Sequence, residues 1–364
     1  MRQELNPEAP LNGAAAPQAA RQTLEIACGS LNPPPWRWLA DSLGLPFAHW
    51  TFFSPPATGL LSKVRRIDLH LMNAVRLWMA QLRKRPPDLL FTHDPRVSFW
   101  CATFARRRGI RVAHVAYSFN FVKLPTGFRR RWMSRAFQDI QRFVVYSTME
   151  QQLYSEWFGI PLEKIHLQLW GVGVPDVAHR ETPTVAGRYA CALGGNARDY
   201  GALIAAAALT PHVPLVLVCR PHNLEGLNVP DHVRVLTNIP FGEAMNVLYH
   251  SQFMILPLAG AQVPCGHVTL VAAMHLGKAL LATQSTGIAD YVFEGRNGVT
   301  CTPSDPQALA AAMGKLWGDA PRCAAMGEEG RRFAAEHCSE EAVRGHLRAI
   351  IKEFAPGARA GPHI

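Results

Sequence analysis

Tyr189-Ala190-Cys191-Ala192-Leu193-Gly194-Gly195-Asn196, running on into the Ala-rich segment Tyr200–Leu209, is the stretch that settles the architecture. An apolar run of strand length stops on two glycines and resumes with helical composition, the opening of a strand–turn–helix unit. It stands just behind a Gly/Pro-rich joint, Gly171-Val172-Gly173-Val174-Pro175 and Glu181-Thr182-Pro183. A fresh unit behind such a joint marks a second domain. Downstream, residues 215–218, 233–236, 253–256 and 279–282 read as further strands with helical stretches between them. Upstream, strands are expected at residues 24–28 (stopped by Gly29-Ser30), 88–92, 112–116 and 142–146. Residues 62–84 carry Val64, Ile67, Leu71, Val75 and Trp78 at helical spacing. Alternation of this kind predicts an α/β protein of two doubly wound, Rossmann-like domains facing across a cleft. The expected division is a tail over 1–22, a first domain over 23–178, a second over 179–342, and a C-terminal helix and tail over 343–364 packing back on the first. Ligands of such sheets bind beyond the carboxyl ends of the strands, so the site is expected between the domains.

A chain of 364 residues, 48% hydrophobic and 18% charged, is long enough for two buried cores and too apolar for global disorder. No apolar run reaches the ~18 residues of a membrane span, and no signal peptide is expected in the Ala/Pro/Gln-rich start. Eight cysteines without a CxxC pair read as small core residues in a reducing cytoplasm, neither zinc ligands nor disulfides. The net charge of +10 is uneven: residues 1–180 carry +11 and residues 181–364 carry −1. Such a first half suits nucleic acid, an anionic membrane or a phosphorylated acceptor. No RNP, KH, zinc or helix-turn-helix pattern accompanies the charge, so nucleic acid is set aside. Lys63-Val64-Arg65-Arg66, Arg106-Arg107-Arg108 and Arg129-Arg130-Arg131 interleave with Trp78, Phe99, Trp100, Phe128 and Trp132. That mixture fits a peripheral contact with the inner face of a membrane, or else ordinary solvated helix faces.

The densest chemistry lies at Cys265-Gly266-His267-Val268-Thr269, ahead of an apolar helical run over 270–276 closed by Gly277. Gly266 lets the backbone approach a ligand, Thr269 is expected to cap the helix, and a helix start suits a diphosphate. An ordinary capped core helix is the alternative.

Residues 270–283 (LVAAMHLGKALLAT), then Thr286-Gly287-Ile288-Ala289-Asp290-Tyr291-Val292 and Glu294-Gly295-Arg296-Asn297-Gly298, resemble the donor domain of the family 4 glycosyltransferases of the GT-B fold. The likeness extends over residues 193–257 and, in the first half, over "VVYSTMEQQLYSEWFGIPLEKIHLQLWGV" from Val144. The resemblance implies transfer of a sugar from a nucleotide-sugar to a hydroxyl acceptor, with retention and without metal or other cofactor. The acceptor would be a glycan, a lipid-linked compound or a small molecule, in the synthesis of a polysaccharide or glycoconjugate. This sequence departs from the family where two glutamates eight positions apart would fall on Pro264 and Ala272, which leaves ribose recognition unassigned.

On that likeness, Arg198 takes the place of a lysine that pairs with the donor diphosphate, unless it pairs with Asp199 or a helix carboxylate. Gly194, Gly195 and Asn196 form the turn before it. Arg220, at a strand end, is a second cation, and Asn238-Ile239 lie where the nucleobase rests. Gly266, His267, Val268 and Thr269 would meet the sugar or phosphate, with a hydrogen-bonded loop histidine the alternative for His267. Phe91-Thr92-His93-Asp94-Pro95 resembles the family's His-(Asp/Glu)-Pro tip. His93 would give or take a proton at the acceptor, and Asp94 would orient the ring. A structural cap is the alternative for His93. Ser118 and Asn120 are expected to border the acceptor cleft, and Gly29-Ser30 to open a path into it. The missing acidic pair keeps two other readings open: a catalytically silent nucleotide-sugar-binding protein, and a nucleotide-sugar epimerase or hydrolase.

Overall fold

The structure, a computed structural model, describes residues 23–31, 37–55, 69–121, 123–262 and 265–355. The tail over 1–22, the start of the helix expected at residue 62, Lys63, Arg65 and Arg66, and Pro264 lie outside them.

The first domain runs β1 (Leu24–Ser30), α1 (Arg37–Leu43), β2 (Ala48–Phe53), α2 (Leu69–Lys84), β3 (Leu89–His93), α3 (Pro95–Arg108), β4 (Ala113–Tyr117), α4 (Gly127–Phe137), β5 (Arg142–Val145), α5 (Thr148–Phe158) and β6 (Ile165–Leu167). The second runs β7 (Ala190–Leu193), α6 (Tyr200–Leu209), β8 (Leu215–Cys219), β9 (Val233–Thr237), α7 (Phe241–His250), β10 (Phe253–Leu256), α8 (His267–His275), β11 (Ala279–Thr283), β12 (Gly298–Cys301), α9 (Pro306–Gly318) and α10 (Ala320–His337). A last helix, α11 (Glu340–Lys352), returns to the first domain.

Each domain holds one six-stranded parallel sheet, ordered β2-β1-β3-β4-β5-β6 and β12-β11-β10-β7-β8-β9. In each, the chain walks outward one way and then turns back. The reversal falls between β1 and β3 in the first sheet and between β7 and β10 in the second. Loops on either side of a reversal diverge and leave a crevice at the carboxyl ends, the place where such sheets hold ligands. Here those crevices are bordered by Ser30 and His93, which are register partners, and by the loops after Leu193 and Leu256.

Strand alternation explains the layers. Leu24, Ile26 and Cys28 face a core closed by Leu43 of α1 and by Val343, Leu347, Ile350 and Ile351 of α11. Ala27 faces the opposite core with Val75, Trp78, Val97 and Phe143. Each buried α11 aliphatic contributes roughly 1.5–3 kcal/mol, so this helix is part of the first domain's core.

The strand at residue 24 does not stop at Gly29-Ser30; it runs through both. A Cβ on Gly29 would lie 2.8 Å from the Trp78 ring, so this glycine makes room for a core tryptophan. All eight cysteines are free and seven are buried, Cys265 being partly exposed. Trp78, Phe99 and Trp100 are buried, so of the aromatics interleaved with the basic clusters it is Phe128 that faces solvent, at 74% exposure. No described helix is long and apolar enough to cross a membrane.

Candidate active site

The two crevices meet across a shared floor of rings. His93 packs on Tyr117 (centroids 5.8 Å apart), Tyr117 on Tyr146 (6.5 Å), Tyr146 on His267 (6.3 Å) and His267 on Tyr291 (4.9 Å). This ladder passes from the first domain to the second. Tyr291 fastens it: its hydroxyl donates to the Tyr146 carbonyl at 2.6 Å and accepts from the Trp170 amide at 2.8 Å. Beside it, Asp290 accepts from the Thr148 amide and hydroxyl at 2.7 and 2.6 Å.

On the second-domain side, Gly194 takes φ +106°, and its absent Cβ would lie 2.9 Å from Arg198 Nη2. Both constraints demand glycine. Gly195 is equally tight, 2.9 Å from Asn223 Oδ1, while Asn196 is exposed. The Arg198 guanidinium donates to the Leu193 and Asn196 carbonyls at 3.3 and 2.8 Å and to Thr269 Oγ1 at 2.9 Å. Asp199 is engaged elsewhere, capping α6 through the Ala202 amide and accepting from Ser304. Burial lowers the pKa of Arg198, yet a guanidinium stays charged in any protein site. Arg220 is exposed, its methylenes against Gly195, and no described acceptor engages its guanidinium. Asn238, exposed at φ +54°, follows β9, and Ile239 packs on the core.

The helix start differs in detail from the expectation. Gly266, at φ +104°, is the N-cap of α8, and no side chain caps that end. Thr269 therefore sits in the first turn, where its hydroxyl bonds back to the Gly266 carbonyl at 3.1 Å and receives Arg198. The amides of His267, Val268 and Thr269 precede the first intrahelical bond, made by Leu270 to Gly266 at 3.0 Å. Val268 is half exposed. His267 is buried, its Nε2–H donating to the Gly287 carbonyl at 2.8 Å, and burial lowers its pKa. Ala272, in the place of the family's second glutamate, is buried within α8.

On the first-domain side, burial pushes the His93 pKa down to about 4, partly offset by Asp94, so this histidine does not titrate near neutrality. Asp94, at φ +93°, caps α3 through the Arg96 amide at 2.7 Å and pairs with the Arg96 guanidinium at 3.1 Å. Its carboxylate is thus committed to the helix start rather than to orienting the His93 ring. Ser118 follows β4 at φ +53°, and Asn120 donates to Glu150 Oε1. Gly29 lies beneath Trp78 and Ser30 is buried at the end of β1. Five non-glycine residues with positive φ, Asp94, Ser118, Ala197, Asn238 and Ser304, stand shortly after strand carboxyl ends. Backbone strain of this kind gathers where function requires it.

Glu150 was not singled out by the sequence. It is fully buried and receives, besides Asn120, the Tyr146 amide at 3.0 Å, the Ser147 hydroxyl at 3.1 Å and the Tyr154 hydroxyl at 3.0 Å. Burial still raises its pKa to about 7. Its signal was the Ser147-x-x-Glu150 spacing of a helix start. Among the described residues no group of three His, Cys, Asp or Glu side chains is placed to hold a metal ion.

Paired parallel sheets with crevices facing across a ring-floored cleft define a GT-B glycosyltransferase architecture. Residues 11–168 match the glycosyl transferase 4-like domain, and residues 197–319 match the glycosyl transferases group 1 domain. The chain belongs to the family 4-like glycosyltransferases of the GT-B fold. Over 144 residues it is 31% identical to D-inositol 3-phosphate glycosyltransferase of Corynebacterium urealyticum, a match covering 40% of this chain and 33% of that relative. Sucrose-phosphate synthase from Thermosynechococcus elongatus superposes with a TM-score of 0.75 at 18% identity, covering 91% of this chain and 99% of that one. Anabaena HepE in complex with UDP-glucose does so with a TM-score of 0.70 at 15% identity, covering 91% and 100%.

Proposed function

We propose that the protein transfers a glycosyl group from a nucleotide-sugar to a hydroxyl acceptor, with retention and without a metal ion. The observation that carries this reading is the bond from Arg198 to Thr269, which sets a guanidinium against the uncapped start of α8. A diphosphate seated there would meet backbone amides, the positive end of the helix dipole and a fixed cation, with Arg220 as a second charge nearby. As the bond to the sugar breaks, negative charge grows on the departing diphosphate. Groups already positioned toward it stabilise the transition state more than the ground state. His93, neutral at pH 7, would act as a hydrogen-bond partner of the reacting sugar or acceptor. That HepE binds UDP and UDP-glucose supports uridine nucleotides as the first donors to try.

The basic first domain supports a peripheral contact with an anionic membrane at the cytoplasmic face. The exposed Phe128, Arg129, Arg131 and Arg135 of α4 would provide it, with each cation near such a surface contributing about 1 kcal/mol. A panel of nucleotide-sugars scored by thermal shift, then by nucleoside diphosphate release, tests the transferase reading. A transferase binds its nucleoside diphosphate and slowly hydrolyses its own donor. Binding without any turnover would instead establish a silent binding protein, and rapid turnover without acceptor an epimerase or hydrolase. Retention is read from the anomeric proton signals of the product, and an inverted product refutes it.

A further inference from the structure

We infer that the first domain carries a second anion site, beside the reaction centre, for a phosphate-class group on an acceptor that also bears an apolar anchor. The inference rests on the transferase reading and names the chemistry of its acceptor. The site is a pocket of about 550 Å³ between the start of α3 and the start of α4, within the range of small-molecule sites. Asp94 and Asn120 are part of its lining, so it adjoins the loops after β3 and β4, close in the chain to His93 and Ser118.

Its lining is divided. Phe121, Leu124 and Met133 supply apolar wall, while Lys123 and Arg129 supply cations, the charge of Arg96 being taken up by Asp94. The one carboxylate on the lining, Asp94, is already neutralised by Arg96, so it offers little repulsion to an anion. Lys123 and Arg129 are exposed, and neither forms an ion pair or hydrogen bond among the described residues. Like charges gathered without a counter-ion repel one another, and a bound anion relieves that repulsion. The start of α4 adds to the field: Thr126 makes no side-chain cap and the first turn holds no acidic residue. Cations beside apolar wall fit a ligand with charge at one end and hydrocarbon next to it. A neutral sugar would use neither feature.

The test titrates the full chain by calorimetry with octyl phosphate, octyl glucoside and glycerol 3-phosphate, and repeats the titrations on Lys123→Ala/Arg129→Ala. Octyl phosphate is expected to bind at least tenfold more tightly than octyl glucoside, and the double variant to lose at least tenfold of that affinity. Lys123→Gln, a milder exposed change, should lose severalfold. Unchanged octyl phosphate affinity in both variants overturns the site. Glycerol 3-phosphate binding as tightly as octyl phosphate overturns the apolar anchor and assigns the pocket to a soluble phosphate ester. Wild-type protein that holds octyl phosphate through these residues, yet neither binds a nucleoside diphosphate nor releases one from any donor of the panel, refutes the transferase reading while the anion site stands.

Discussion

Replacing Arg198 with alanine strikes the proposed donor site at its most constrained point. The guanidinium is held by two carbonyls, of Leu193 and Asn196, and by Thr269. It is therefore positioned before any ligand arrives and loses little conformational entropy when one does. Removing a single donor so placed costs about 2.7–4 kcal/mol of transition-state stabilisation, or a 10²–10³-fold fall in turnover. The loss should fall mainly on kcat, because charge accumulates on the leaving diphosphate only as the glycosidic bond opens. Arg198→Lys keeps the charge but cannot reach both carbonyls and Thr269 together, so it should recover only part of the rate. Initial rates of nucleoside diphosphate release, with kcat and KM resolved separately for the wild type and both variants, provide the measurement. A melting curve checks that Arg198→Ala still folds. If the alanine variant keeps kcat within threefold and KM unchanged, the proposed leaving-group role is wrong.

Three further outcomes follow from the geometry. Tyr291→Phe removes the hydroxyl that serves both the Tyr146 carbonyl and the Trp170 amide; leaving these buried groups unpaired should cost about 2–3 kcal/mol, read as a lower denaturant midpoint. Glu150 ionises at about 7 in the folded protein against an ordinary 4.5, so the folded state holds its proton more tightly and stability falls as pH rises through that window, by roughly 3 kcal/mol at most; urea titrations from pH 4.5 to 8 should show this slope in the wild type and a flatter one in Glu150→Gln. Gly327→Ala would place a Cβ 2.0 Å from the Gly277 carbonyl and force α10 away from the turn after α8, costing about 1–3 kcal/mol, whereas Gly345→Ala on α11, with nothing within 4 Å, should be neutral or slightly stabilising by thermal melting.

Five of the six strands of the second domain, all but β12, are legible in the sequence, chiefly because continuous apolar runs such as Phe253–Leu256 are buried on both faces and bounded by turns. β2 escaped notice because it is an edge strand whose His49 and Thr51 face solvent, which leaves no such run. Two glycines mislead a reading of the sequence for opposite reasons. Gly29 reads as the end of a strand, but its bareness serves the Trp78 ring; Thr269 reads as a helix cap, but the left-handed conformation of Gly266 starts that helix three residues earlier than the apolar run suggests. Arg198 is legible because the resemblance to the family sets it, just after a double-glycine turn, where a lysine is usual, and that is a local pattern. Tyr291 is not, since its role depends on a carbonyl 145 residues away in the other domain. Phe99 and Trp100 sit beside arginines in sequence yet point into the core, because adjacency on a helix does not disclose the face.

The return of α11 has an architectural consequence. The chain leaves the first domain near Val172 and re-enters near Cys338, and the two passages are joined by a bond from the Val172 amide to the Cys338 carbonyl at 3.0 Å. Gly171 lies so close to Ser339 and Val343 that a methyl group would not fit between them. The second domain is thus a cassette whose ends emerge side by side. Exchanging it for the corresponding piece of a relative would require matching a single paired seam, and the recipient half would keep its own closing helix.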